Sequence, residues 1–223
     1  MSFVCEVMVP GEGAGDPAVA RWIATHGARL AALPGCRWAA AYTPTEVADD
    51  PLNPPEPAPA SVLMLGFATR AALAGALANA ATEAALAAAP GPGVTASAFR
   101  RQSQPLPGIE LPAGSVAYLV RYFLPADDPA AFVAEYTAHH PQVQARLPGI
   151  RAIHCDVPLP ELRAATAPPA PYLIGNEVGF EDAGAFAAAM RSPARAELRA
   201  HMAGFPRWSG RNSHVLMLRR ALR

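Results

Sequence analysis

The residues of this chain best suited to chemistry lie in its second half. Tyr136 and His140 stand four apart in a segment of helical pattern, so their rings share one face. An imidazole titrates near neutrality and can take a proton from a phenol or an activated carbon, which makes His140 the candidate general base or acid, with Tyr136 beside it. The plain alternative is a partly buried histidine bonded to the loop that follows. His154 and Asp156 flank Cys155 in a strand-like run and so point to one side. Asp156 is taken as a catalytic candidate and His154 as a ligand-binding one, although a solvated strand edge explains the pair equally well. Arg121 shares a strand face with Leu119 and Phe123. It is either a carboxylate-binding group or half of an ion pair, with Glu177 as the suggested partner. Tyr118 and Tyr172, with Tyr122, offer rings and hydroxyls that can orient an aromatic ligand, and His214 and Trp208 complete the ligand-binding candidates.

Other chemistries lack their residues. Neighbours on a helix point about 100° apart, so His139 and His140 form no metal pair, and no His/Asp/Glu triad has metal-ligand spacing. Gly91-Pro92-Gly93 has neither the glycine spacing nor the lysine of a phosphate loop. No cofactor and no metal are expected. The 18 basic residues, all arginine, balance 18 acidic ones and are scattered singly, which leaves no basic face for nucleic acid. With 52% apolar residues the chain reads as globular. It shows no basic, apolar leader and no run of 18 apolar residues, so it is expected to be soluble and cytoplasmic with no membrane partner. Cys5, Cys36 and Cys155 are too far apart for a zinc cluster and read as small buried hydrophobes.

The elements that must position these residues appear twice. Trp22, His26, Leu33, Pro34-Gly35, Arg37 and Pro44 recur 114 positions later as Tyr136, His140, Leu147, Pro148-Gly149, Arg151 and Pro158. Because histidine and tryptophan are rare here, composition alone does not produce that match. The chain therefore divides into repeats 1–106 and 107–223, the first a divergent copy. Each reads strand, helix, strand, strand, helix, strand. In the second repeat these are strands 115–123, 150–157, 172–179 and 212–219, a helix from Asp128 to about Leu147, and a second helix opened by Glu181-Asp182 and broken at Ser192-Pro193. In the first they are strands 3–9, 35–42, 61–67 and 94–100 and helices 16–33 and 70–89, with a Pro-rich acidic connection over 45–60. That order is ferredoxin-like, an α+β sheet covered on one side by helices. Two tandem copies packed face to face give a closed or nearly closed pseudo-dimeric barrel with four helices outside.

The second repeat resembles the EthD family of the dimeric alpha+beta barrel superfamily. The likeness lies in Tyr118-Leu119-Val120-Arg121-Tyr122-Phe123, Asp128-Pro129-Ala130-Ala131-Phe132, Tyr136 with His140, Leu147-Pro148-Gly149-Ile150 and Asn176 to Phe180. The resemblance implies cofactor-independent oxidation, cyclisation, decarboxylation or isomerisation of a small aromatic or polyketide-like compound. The alternative is a non-catalytic protein that binds a small hydrophobic molecule. A cavity above roughly 300 Å³ around His140 or Arg121 is the expectation for an enzyme, and a filled barrel for a binding or structural protein. Fusion removes the need for a dimer of separate copies, yet an outer helix face or sheet edge leaves room for a homodimer of the fused chain.

Overall fold

Caps and apolar alternation set the elements. In the computed structural model, which describes residues 2–11, 15–45, 50–51, 53, 57–106 and 114–222, the first half contains β1 (Ser2–Val9), α1 (Pro17–Ala31), β2 (Cys36–Pro44), β3 (Ser61–Phe67), α2 (Arg70–Leu77), α3 (Ala80–Ala87) and β4 (Thr95–Gln104). The second contains β5 (Val116–Phe123), α4 (Pro129–Gln144), β6 (Ile150–Pro158), β7 (Tyr172–Phe180), α5 (Ala183–Met190), α6 (Pro193–Met202) and β8 (Asn212–Ala221). Asp16 and Asp128 cap α1 and α4, each accepting a backbone N–H just before a first-turn proline's helix proceeds. The matching Pro-Gly turns after these helices place Gly35 and Gly149 at φ of 76° and 72°, a conformation that side chains resist.

One expectation needs correction. The single helix expected over 70–89 is two, because Asn79 leaves the helix and its side chain caps α3 by accepting from Ala81 N–H. The break repeats the one at Ser192-Pro193, so the described residues form six helices and not four.

All eight strands pair antiparallel in a closed barrel of order β1-β3-β2-β8-β5-β7-β6-β4. Each half keeps the ferredoxin-like order, β4-β1-β3-β2 or β8-β5-β7-β6, and the halves join edge to edge through β2 with β8 and β4 with β6. A half-turn about the barrel axis carries β1 onto β5 and each other strand onto its counterpart. The fold is thus two ferredoxin-like repeats closed into one barrel, with no free edge left for a further strand.

Period-two alternation sorts the side chains into an inner and an outer set. On β5, Tyr118, Val120 and Tyr122 pack under the second-half helices, while Ala117, Leu119 and Phe123 turn into the lumen with Val4, Tyr42, Met64, Phe99, Tyr172 and Met217. Two ionic groups stand among the apolar side chains of the lumen. Glu6 on β1 pairs with Arg121, whose Nη1 also donates to the carbonyls of Val120 at 2.9 Å and Asn176 at 3.1 Å. The suggested pairing of Arg121 with Glu177 is therefore replaced by Glu6, which the register of β1 brings across the axis. Glu177 instead lies 2.9 Å from Arg101, which also grips Asp156 through two hydrogen bonds of 2.7 and 2.8 Å. Tyr42 donates its hydroxyl to Glu177 at 2.7 Å. Burial opposes ionisation of Glu177, but Arg101 above all holds its pKa down at about 2. Gly175 is needed here, since a Cβ on it would stand 3.2 Å from both Arg121 Nη1 and Asp156 Cβ.

Breaking the first pair leaves one buried charge alone. Arg121→Met should lower the unfolding free energy by about 3–5 kcal/mol, whereas the double variant Glu6→Leu/Arg121→Met should recover most of that loss. Urea denaturation of the two variants and the parent checks it; additive losses would show that the pair is not the coupled unit.

Candidate active site

The chemistry-bearing residues of the second half collect outside the barrel, between its sheet and helices α4 and α6. Spacing of four on α4 brings Phe132, Tyr136, His140 and Gln144 onto one buried face. Pro193 starts α6 so that Leu198 packs inward and Arg195 reaches the same space. His214 enters from β8. Tyr118, Tyr122, Tyr136, His140, Arg195 and His214 together line a cavity of about 50 Å³.

Its electrostatics are set by burial. His140 is 5% exposed and its ring centre lies 4.5 Å from that of Tyr136. Burial first, then His201 and Arg195, push its pKa down to about 3, and burial with Arg195 lowers His214 to about 4. Both imidazoles are neutral at pH 7. Burial likewise pushes Tyr122 up to about 12, so that phenol stays protonated. His140 Nδ1 is 3.3 Å from His201 Nδ1, and His201 Nε2 is 3.7 Å from Glu135 Oε1. One proton fits between the two Nδ1 atoms. With that proton on His140, His201 Nδ1 accepts it and the His201 proton sits on Nε2 facing Glu135, so His140 Nε2 keeps an open lone pair.

Arg195 is held at 2.8 Å by Asp50, from the long connection of the other half. Asp50 also accepts from the Tyr118 hydroxyl and from Asn53 Nδ2, each at 2.7 Å. A bond of 2.6 Å from Gln144 to Asn176 closes the floor. Two buried polar atoms of this layer find no hydrogen-bond partner among the described residues: His214 Nδ1 and Arg195 Nε. The equivalent places in the first half are filled differently. Cys5 and Val9 stand where the pseudo-symmetry puts Tyr118 and Tyr122, and Trp22, in place of Tyr136, donates its indole N–H to the Ala85 carbonyl at 2.8 Å.

The structure splits the residues singled out from sequence. Tyr118, Tyr136, His140 and His214 meet in the helical layer, outside the barrel lumen. Its neighbour His139 is exposed beside Glu135. Arg121, His154, Asp156 and Tyr172 occupy the lumen, on the opposite face of the sheet. Asp156 is fully buried with Arg101, and half-buried His154 has Nδ1 2.9 Å from the Ser103 hydroxyl. Trp208 stands at the edge of the layer, donating to the Phe123 carbonyl at 2.7 Å and packing edge-on against Tyr122. Asp50, Glu135, Arg195 and His201 were not foreseen. Only Glu135 carried a signal, its spacing of four from His139.

Two larger spaces of about 210 Å³ open at the ends of the barrel. One is bordered by Glu6, Met8, Leu119, Arg121, Phe123 and Tyr172, the other by Trp38, Tyr42, Arg101, His154, Glu177 and Arg219. None of the three spaces reaches 300 Å³, so the expectation set for an enzyme is not met by volume. No cluster of His, Cys, Asp and Glu suited to a metal ion occurs among the described residues, nor any helix long and apolar enough to cross a membrane.

No family model matches the chain, and no curated protein does. Solved structures do. An anthrone oxidase-like protein is 12% identical, with a TM-score of 0.67 over 99% of this chain and 93% of that one. A candidate monooxygenase from Lactobacillus acidophilus NCFM is 10% identical, with a TM-score of 0.58 over 98% and 93%. A major regulator of staphylococcal pathogenesis is also 10% identical, with a TM-score of 0.51 over 98% of both chains. The likeness is one of fold. It shows a ferredoxin-like barrel, and a regulator among the matches shows that the architecture alone does not choose an activity.

Acid should weaken this layer. A histidine whose pKa falls on folding leaves the unfolded chain the better proton acceptor, so stability is intact above pH 6.5 and declines as pH drops toward the folded value. Between pH 7 and pH 5 His140 should account for about 2 kcal/mol of lost stability. Urea unfolding of the parent and His140→Gln at both pH values measures it; an unchanged pH slope in the variant would contradict the assignment.

Proposed function

We propose that this chain is an enzyme which removes a proton from a small aromatic or polyketide-like compound, with His140 as the base, in the helical layer of its second half. The observation that carries the reading is the pair of buried, partnerless donors and acceptors, His214 Nδ1 and Arg195 Nε, in the same aromatic box as the open Nε2 of His140. A phenol or an activated C–H would give its proton to His140 Nε2. The anion so formed would face the Arg195 guanidinium, while Tyr118, Tyr122 and Tyr136 hold its ring by stacking and edge contacts. Glu135, through His201, would balance the imidazolium as it forms.

In an empty box His140 is too weak a base for this work, since a useful one titrates near the working pH. The substrate's own developing charge is what raises its proton affinity, because the anion and the imidazolium arise together. The EthD-like segments of the sequence, from Asp128-Pro129 through Tyr136 and His140 to Pro148-Gly149, are those that build this layer, which supports the family reading alongside the fold shared with an anthrone oxidase-like protein. The step invokes no cofactor. Cyclisation and isomerisation begin from such an anion, as does oxidation when dioxygen takes its electrons, whereas in a decarboxylation the imidazolium would return a proton to the carbanion left by CO2; the choice among them belongs to the substrate.

The small volume around His140 favours a second reading, a non-catalytic binder of a small hydrophobic molecule. A box of about 50 Å³ holds a water or two, so a ring enters only if Asp50 releases Arg195 and the side chains of the box give way. The two readings separate on turnover. With a panel of anthrones and polyhydroxylated aromatics, followed by absorbance and oxygen uptake, the parent should convert at least one member. His140→Ala should lose about 10²–10⁴ of that rate with its fold retained by circular dichroism. Binding of panel members without conversion by the parent, or an equal rate in the variant, would reject the enzymatic reading.

A further inference from the structure

The end of the barrel that opens beside Phe123 holds a space the proposed reaction does not use. It lies on the lumen side of the sheet, whereas His140 lies outside it. Met8, Val62, Leu119, Phe123 and Val215 form apolar walls, and the space measures about 210 Å³. That suits a single ring or a short alkyl chain.

The charges around it are Glu6, Arg121 and Arg211, with the Tyr172 phenol as the remaining titratable group. Arg121 is spent. Its Nε and Nη2 both go to Glu6 Oε2, and its Nη1 goes to two backbone carbonyls, so the floor of the space is a neutral ion pair with the carboxylate of Glu6 in it. Arg211 is different. Its guanidinium carbon lies 3.6 Å from the centre of the Phe123 ring at the mouth, and it has no carboxylate partner among the described residues. The Ser213 hydroxyl stands on the same rim. The arrangement is an apolar well with a neutral bottom and one cation at the lip.

We infer that this mouth binds a compact monocarboxylate, its apolar body in the lumen between Phe123 and Leu119 and its carboxylate at Arg211. A carboxylate inserted first would meet Glu6 at the floor, whereas an apolar group inserted first loses nothing there; the orientation follows from that difference. A ligand without the anion would leave Arg211 idle and gain only the apolar contact. The site is independent of the proposed reaction.

Benzoate tests it, with benzyl alcohol as the neutral counterpart, by calorimetric titration of the full chain at low salt. Benzoate should bind with a Kd of about 1 mM or tighter, and benzyl alcohol several-fold more weakly. Arg211→Ala should weaken benzoate about fivefold, the effect of one exposed charge contact, and bring it level with the alcohol. Leu119→Trp, which fills the lumen, should abolish binding, and Val215→Phe serves the same purpose should the tryptophan variant not fold. His140→Ala should leave the titration unchanged. Absence of benzoate binding to the parent, equal affinity for the alcohol, or binding that survives a folded lumen-filling variant would each overturn the proposal.

Discussion

Charges inside a closed barrel must find partners inside it, and here each ion pair among the described lumen residues crosses from one half of the chain to the other. Glu6 of β1 meets Arg121 of β5; Arg101 of β4 meets Asp156 of β6 and Glu177 of β7; Tyr42 of β2 donates to Glu177. Separating the halves would strand two arginines and three carboxylates beside apolar walls, a cost of several kcal/mol for each group left alone. The same bonds fix how the halves meet. A shift of one residue along either seam would turn the charged side chains out of the lumen and bring apolar ones from the helical layers in. The ionic groups therefore specify the closure as well as holding it.

Those pairings also need the two repeats to differ. Under the half-turn that relates them, Glu6 corresponds to Leu119, Met8 to Arg121, Tyr42 to Asp156 and Met64 to Glu177. Each of these acids and bases has an apolar or neutral counterpart, while Arg101 answers to a second arginine, Arg219. Two identical copies carrying Glu177 would bring in a second carboxylate facing a second arginine, and two carrying only Met64 would leave Arg101 with less to hold. Fusion lets one half supply a charge and the other its complement. The sheet then has two separate duties, with the lumen face holding the barrel shut and the outer face of the second half carrying His140, Tyr118 and His214.

Much of the fold was legible because it is periodic. The 114-residue spacing, the Pro-Gly turns and the alternation on β5 are local regularities, and each corresponds to an element or a face in the structure. The site was legible only in part. Helical spacing put His140 and Tyr136 on one face, as α4 does, but naming both Tyr118 and Arg121 as ligand-binding candidates set aside the alternation, which puts residues three apart on opposite faces of a strand. Asp50 and Arg195 are 145 positions apart, and no local pattern links them. Asp50 sits in a Pro-rich acidic connection, and Arg195 is one arginine among many, so neither stood out by type. The α2–α3 break escaped notice because Asn79 caps as a side chain and carries no proline to announce it.

The contact between Asp50 and Arg195 ties these two levels together. It brings a first-half carboxylate into the second-half layer and neutralises the one guanidinium there, while both histidines remain uncharged. On the proposed reading, an anion forming in the box competes with Asp50 for Arg195. The exchange replaces one carboxylate–guanidinium pair by another, so the arginine is never left buried and alone. The open Nε of Arg195 lets the two anions share the group during the exchange, since Asp50 occupies only the terminal nitrogen. A site organised in this way is closed when empty and exposes its cation only to a molecule able to take over the bond. A cavity too small for its ligand is then what the resting geometry should look like, and volume alone is a poor guide to what this layer can admit.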